Sequence, residues 1–83
     1  MDPRRIIRDA AEKEEYTVCD HCLEEMDQDG ISIEQVEHVM QKGKVKKREP
    51  TKKRYTLKKE DIMICAEFGD DNCIVIITAG RER

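Results

Sequence analysis

Eighty-three residues make one small domain, 42% charged, 37% hydrophobic and only 4% aromatic, with a formal net charge of −3. The longest apolar run, Ile74-Val75-Ile76-Ile77, falls far short of the roughly 18 residues of a membrane span, so a membrane protein and a large multi-domain enzyme are excluded. The start, Met1-Asp2-Pro3-Arg4-Arg5, lacks the apolar stretch of a secretory signal and points to a cytoplasmic protein.

The first helix has its start written out. Asp2 caps it, Pro3 suits its first turn, and Ile6, Ile7, Ala10 and Ala11 fall on one stripe. Glu12, Glu14 and Glu15 crowd its end, where the helix dipole disfavours them, so it frays there. Tyr16-Thr17-Val18 reads as a short extended link or edge strand. A second helix is expected over residues 20–28, with Cys22, Leu23 and Met26 on its apolar side and Asp29-Gly30 as its stop. In the third, Ser32 and Gln35 form a capping box, Val36, Val39 and Met40 make the stripe, and Gly43 closes it. His38 lies opposite Val36 and Met40 and is expected in solvent.

Beyond Gly43 the period changes to that of strands. Val45 to Arg48 is the first candidate and is broken by Glu49-Pro50-Thr51. Arg54-Tyr55-Thr56-Leu57-Lys58 alternates, which turns Tyr55 and Leu57 inward together. Lys59-Glu60-Asp61 reverses the chain. Residues 62–66 and 73–78 are rich in β-branched side chains, with Gly69-Asp70-Asp71-Asn72 as the hairpin loop between them. Pairing 68 with 73 sets 65 opposite 76 and sends the Cys65 and Cys73 sulfurs to opposite faces. The expected fold is α+β, with two or three N-terminal helices packed on a three- to four-stranded antiparallel sheet. The apolar strands sit at its centre and the basic ones toward an edge.

Charge is blocked rather than mixed. Residues 1–41 carry 12 acidic and 4 basic side chains, residues 42–59 carry 10 basic side chains against Glu49 alone, and residues 60–83 carry 6 acidic and 2 basic. A compact segment of net charge +9 attracts polyanions even on an acidic protein. Lys44, Lys46, Lys47, Arg48, Lys52, Lys53, Arg54 and Tyr55 are the candidate surface for nucleic acid or an acidic partner. The plainer reading makes the same lysines guards of an edge strand against aggregation.

Two constellations suggest chemistry. His21, in the first turn of a helix, is biased toward the neutral imidazole and suits a general base, with Arg54 or Lys52 to stabilise phosphorane charge. The plainer role for His21 is a hydrogen bond to a neighbouring carbonyl. Cys19, His21 and Cys22 offer three metal-type ligands in four residues, although a structural zinc site normally shows a second close pair and Cys22 reads more simply as core. No cofactor is expected otherwise.

His21-Cys22-Leu23-Glu24-Glu25-Met26, then Asp29-Gly30-Ile31-Ser32, Val36, Gly43, Arg54-Tyr55 and Ile76-Ile77-Thr78 resemble the small prokaryotic domain of unknown function numbered 4258. The resemblance covers residues 16–79 and leaves residues 1–15 outside it. It implies a compact toxin-like α+β domain distantly similar to RelE- and BrnT-type toxins, with RNA contact and a small antitoxin partner. Where that family carries two arginines in the second helix, this chain has Glu25 and Asp29, which removes phosphate ligands there. Three readings stay open: a binding domain using the basic ribbon, an endoribonuclease with His21 as base, and a small zinc module. The acidic helices facing a basic ribbon also suit a homodimer.

Overall fold

The computed structural model describes residues 2–82. Its elements run α1 (Pro3–Glu12), β1 (Tyr16–Val18), α2 (Asp20–Asp29), α3 (Ile33–Lys42), β2 (Lys44–Glu49), β3 (Arg54–Lys59), β4 (Ile62–Phe68) and β5 (Ile74–Arg81), with single 3₁₀ turns at Pro50–Lys52 and Asp70–Asn72. Local signals place the helices. An Asp2 carboxylate oxygen accepts the Arg4 N–H at 3.1 Å. Ser32 and Gln35 exchange reciprocal side-chain bonds of 3.2 and 2.8 Å, satisfying two donors that the first turn of α3 leaves unpaired. α2 stops on Gly30 at φ 64°, a conformation that costs any side chain but glycine's.

The sheet has five strands in the order β1-β5-β4-β3-β2. β2, β3, β4 and β5 pair antiparallel, but β1 runs parallel to β5, from Tyr16 opposite Ile74 to Val18 opposite Ile76. The expected antiparallel sheet of three or four strands is therefore a mixed one of five. β1 takes up the outer edge of β5, and the Cys19 N–H continues the ladder to the Ile76 carbonyl at 3.1 Å. The 68–73 register expected for the last hairpin is also corrected: Phe68 pairs with Ile74, and a bulge after Ile76 sets Cys65 opposite Thr78. Cys73 falls outside the ladder and is exposed.

All three helices cover one face. α2 packs on β5, α3 on β3 and β4, and α1 on α3. Ile7, Val36, Met40, Leu57, Ile64 and Ile76 are at most 1% exposed, and full burial of each such side chain stabilises by about 1.5–3 kcal/mol. Tyr55 and Leu57 do point inward together, and Cys22 is fully buried. α1 is integral to this core although it lies outside the residues that carry the resemblance. Ile7, Ala10 and Ala11 are buried, and the Arg4 guanidinium donates to the Gly43 and Met40 carbonyls, closing the C-terminus of α3. Among the described residues the opposite face carries no helix. It presents Arg54, Thr56 and Lys58 of β3 beside Met63, Cys65 and Glu67 of β4. No described helix is long and apolar enough to cross a membrane.

Candidate functional site

The basic block forms two strands and their tip, and its cations fall into two sets according to whether a carboxylate of the chain reaches them. One set is occupied by the chain's own carboxylates. Glu49 lies 3.8 Å from the Lys47 ammonium and 3.5 Å from that of Lys52. Arg54 faces Glu67 across the β3–β4 pair at 3.7 Å, and Lys58 bonds Glu82. That bond holds the Glu82 carboxyl below the usual carboxylate range. The Arg54 Nε is enclosed yet has no hydrogen-bond partner, because 3.7 Å is beyond bonding distance. Arg54 lines a hollow of about 460 Å³ on the helix-free face together with Glu49, Thr56, Met63 and Cys65.

The second set is unpaired. Lys42, Lys44, Lys46, Arg48, Lys53 and Lys59 form no ion pair among the described residues. Lys42, Lys44, Lys46 and Lys59 join Lys58 around one hollow of about 280 Å³, in which Glu60 is the only lining carboxylate. Gly43 makes this convergence possible. A Cβ there would stand 2.5 Å from the Val39 carbonyl oxygen and 3.1 Å from that of Lys58, so only glycine lets α3 pass directly into β2 beside β3. Lys42 closes the last turn of α3, where the helix dipole favours a cation. From the hollow, Lys46 and Arg48 continue along β2, the outermost strand, toward Lys53 at the hairpin tip.

Lys42 and Lys59 were not singled out in the sequence. Their signal was present in the charge block, but their meeting depends on the Gly43 turn and the β2–β3 register. Tyr55, a candidate for the binding surface, belongs instead to the core: it is 9% exposed and packs edge-to-face on Phe68 at 5.5 Å. Alternation along β3 sends its ring under the helices while Arg54 and Thr56 face the other way.

His21 and Arg54 do not share a cleft. His21 sits on α2 in the helix layer, its side chain 74% exposed and 3.7 Å from Glu25. Arg54 and its hollow lie on the opposite face of the sheet, and Lys52 is engaged at the tip. Cys19, His21 and Cys22 also diverge. The Cys22 thiol is in the core and pushed up to about 11 by burial, Cys19 Sγ contacts the Ile77 carbonyl oxygen at 3.4 Å, and His21 points to solvent. Among the described residues no three His, Cys, Asp or Glu side chains converge as a metal site.

Asp29 and Glu25, which replace the arginines of the resemblance, have structural surroundings. Asp29 accepts the Arg81 N–H at 3.3 Å, and Glu25 is the half-buried neighbour of His21. No curated protein and no solved structure matches the chain. One family model does, over residues 18–81, from the last residue of the parallel edge strand to the end of β5. The chain belongs to the domain of unknown function family DUF4258.

Proposed function

We propose that this domain binds RNA through the lysine hollow and the β2 edge, and that it acts by binding rather than by cleavage. The observation that carries the reading is the unshared charge of Lys42, Lys44, Lys46 and Lys59. In a chain with 19 acidic residues, these four lysines form no ion pair among the described residues, and five lysines face Glu60 alone around the hollow. Ammonium groups on flexible stems suit phosphates as point charges. The aromatic rings are withdrawn from this surface, Tyr55 and Phe68 being at most 9% exposed, so contact falls on the phosphate backbone rather than on stacked bases.

Four phosphate contacts by the unpaired lysines of the hollow, at a salt slope near −0.7 per contact for a single strand, make affinity fall about fiftyfold when salt rises about fourfold. The test is binding of a fluorescent oligoribonucleotide by anisotropy across a salt series, with Lys44→Gln/Lys46→Gln as the variant. The expected result is weaker binding and a slope shallower by about 1.4, with RNA left intact. Binding that ignores the substitution overturns the proposal. Preference for a polyglutamate of equal charge transfers the surface to an acidic protein partner. RNA cleavage that vanishes in His21→Ala moves the reading to an endoribonuclease.

A further inference from the structure

The charge blocks become a spatial division once the sheet is assembled. β2, with Lys44, Lys46, Lys47 and Arg48, forms one edge of the sheet; β1 forms the other, and α2 packs on its neighbour β5. α2 carries Asp20, Glu24, Glu25, Asp27 and Asp29 and neither lysine nor arginine. Glu14 and Glu15 precede β1 and are exposed. Three inter-strand spacings of about 4.8 Å separate β5, on which α2 packs, from β2, a distance of roughly 14 Å. That is nearly twice the screening length at physiological salt, so the two surfaces cannot neutralise each other within one chain.

The acidic face also has an apolar centre. Leu23 is 49% exposed, the largest exposure of any large hydrophobic side chain among the described residues. Asp20 and Asp27 lie one helical turn from it on the same side, and Glu24 adjoins it. An apolar centre with a charged rim is the anatomy of a protein-binding surface. The matching surface must be cationic at its rim and aliphatic beneath. Lysine and arginine side chains in a row supply both, because their methylene stems cover apolar area while their heads reach carboxylates. Lys44, Lys46 and Arg48, exposed and without ion-pair partners among the described residues, supply such stems along the β2 edge, where the bulge at Lys46 breaks the strict alternation of faces.

We propose that copies of this chain associate head to tail, the α2 face of one protomer seated on the β2 edge of the next. The two surfaces differ and lie in different parts of the fold, α2 over β5 and β2 at the far edge, so the contact is heterologous and the chain of protomers ends in one free surface of each kind. β2 then has two competing occupants, and a short RNA releases the neighbouring protomer.

Analytical ultracentrifugation of the full chain tests this without any RNA, so its outcome is separate from that of the RNA reading. At about 30 mM salt the weight-average mass is expected to climb past the dimer with concentration, and at about 300 mM to fall to the monomer. Lys46→Gln/Arg48→Gln neutralises one surface and Glu24→Gln/Asp27→Asn the other, so that the two altered surfaces do not attract each other. All four positions are exposed, and circular dichroism checks that each variant is folded. Each variant alone is expected to be monomeric, and an equimolar mixture to form a 1:1 dimer that grows no further. Leu23→Ser is expected to weaken wild-type association about tenfold or more. A wild-type chain that stays monomeric at low salt, an assembly that stops at dimers, or variants that fail to complement each other overturns the proposal.

Discussion

Replacing Arg81 tests whether one side chain ties together three parts of the fold. Its Nε donates to the Asp29 carbonyl at 2.9 Å, one Nη to the Gly30 carbonyl at 3.3 Å, and the other to an Asp61 carboxylate oxygen at 2.9 Å. It thereby joins the end of β5 to the C-terminus of α2 and to the turn between β3 and β4. The two carbonyl bonds are charge-assisted but near the surface, where water replaces part of what is lost, so each is worth about 1 kcal/mol. The ion pair with Asp61, whose side chain is 54% exposed, adds only about 0.5 kcal/mol. Arg81→Ala is therefore expected to cost about 2–3 kcal/mol and to lower Tm by about 10–15 °C, read by urea titration and thermal circular dichroism. A single ammonium cannot span three acceptors, so Arg81→Lys recovers only about 1 kcal/mol. A loss below about 0.5 kcal/mol, or a lysine as good as arginine, refutes the three-way tie.

Further outcomes are expected elsewhere in the molecule. Ile7→Ala, in the fully buried stripe of α1, is expected to cost about 2–4 kcal/mol by denaturant unfolding, showing that the helix preceding the family match belongs to the same core. Glu60 stands at φ 59° in the β3–β4 turn, and Glu60→Gly is expected to raise stability by about 0.5–1 kcal/mol in the same assay. Burial raises the Cys22 thiol from 9.0 to about 11, so the protonated form is held more tightly in the folded chain than in the unfolded one. Its contribution is fully present below pH 9 and lost as pH rises through 11, and the fall in Tm over that window is expected to flatten in Cys22→Ala. Tyr16, raised by burial and by its bond to Glu37, acts in the same direction, so some slope remains.

The helices were legible because their signals are local. Asp2-Pro3, Ser32 with Gln35, and Gly30 each fix a boundary through contacts within a few residues, and the structure places them there. Strand parity was equally legible for Tyr55 and Leu57. What depends on distant pairing was not. Three residues of β1 carry too little pattern to announce a partner far along the chain. The bulges at Lys46 and Ile77 shift the register without leaving a mark in the residue types. The same holds for the basic block. Ten cations in eighteen positions were plain to count, but which of them meet Glu49, Glu67 and Glu82 follows from register, and so does the identity of those left over.

The parallel pairing of β1 with β5 sets an order on folding. Residues of β1 and α2 find part of their partners only after the last strand exists, through pairings 58 positions apart such as Tyr16 with Ile74. The β2–β3–β4–β5 meander closes through short loops and loses little chain entropy in doing so, whereas docking β1 and α2 closes a long one. β1 and the acidic α2 are thus the late arrivals, laid onto a meander that has already paired.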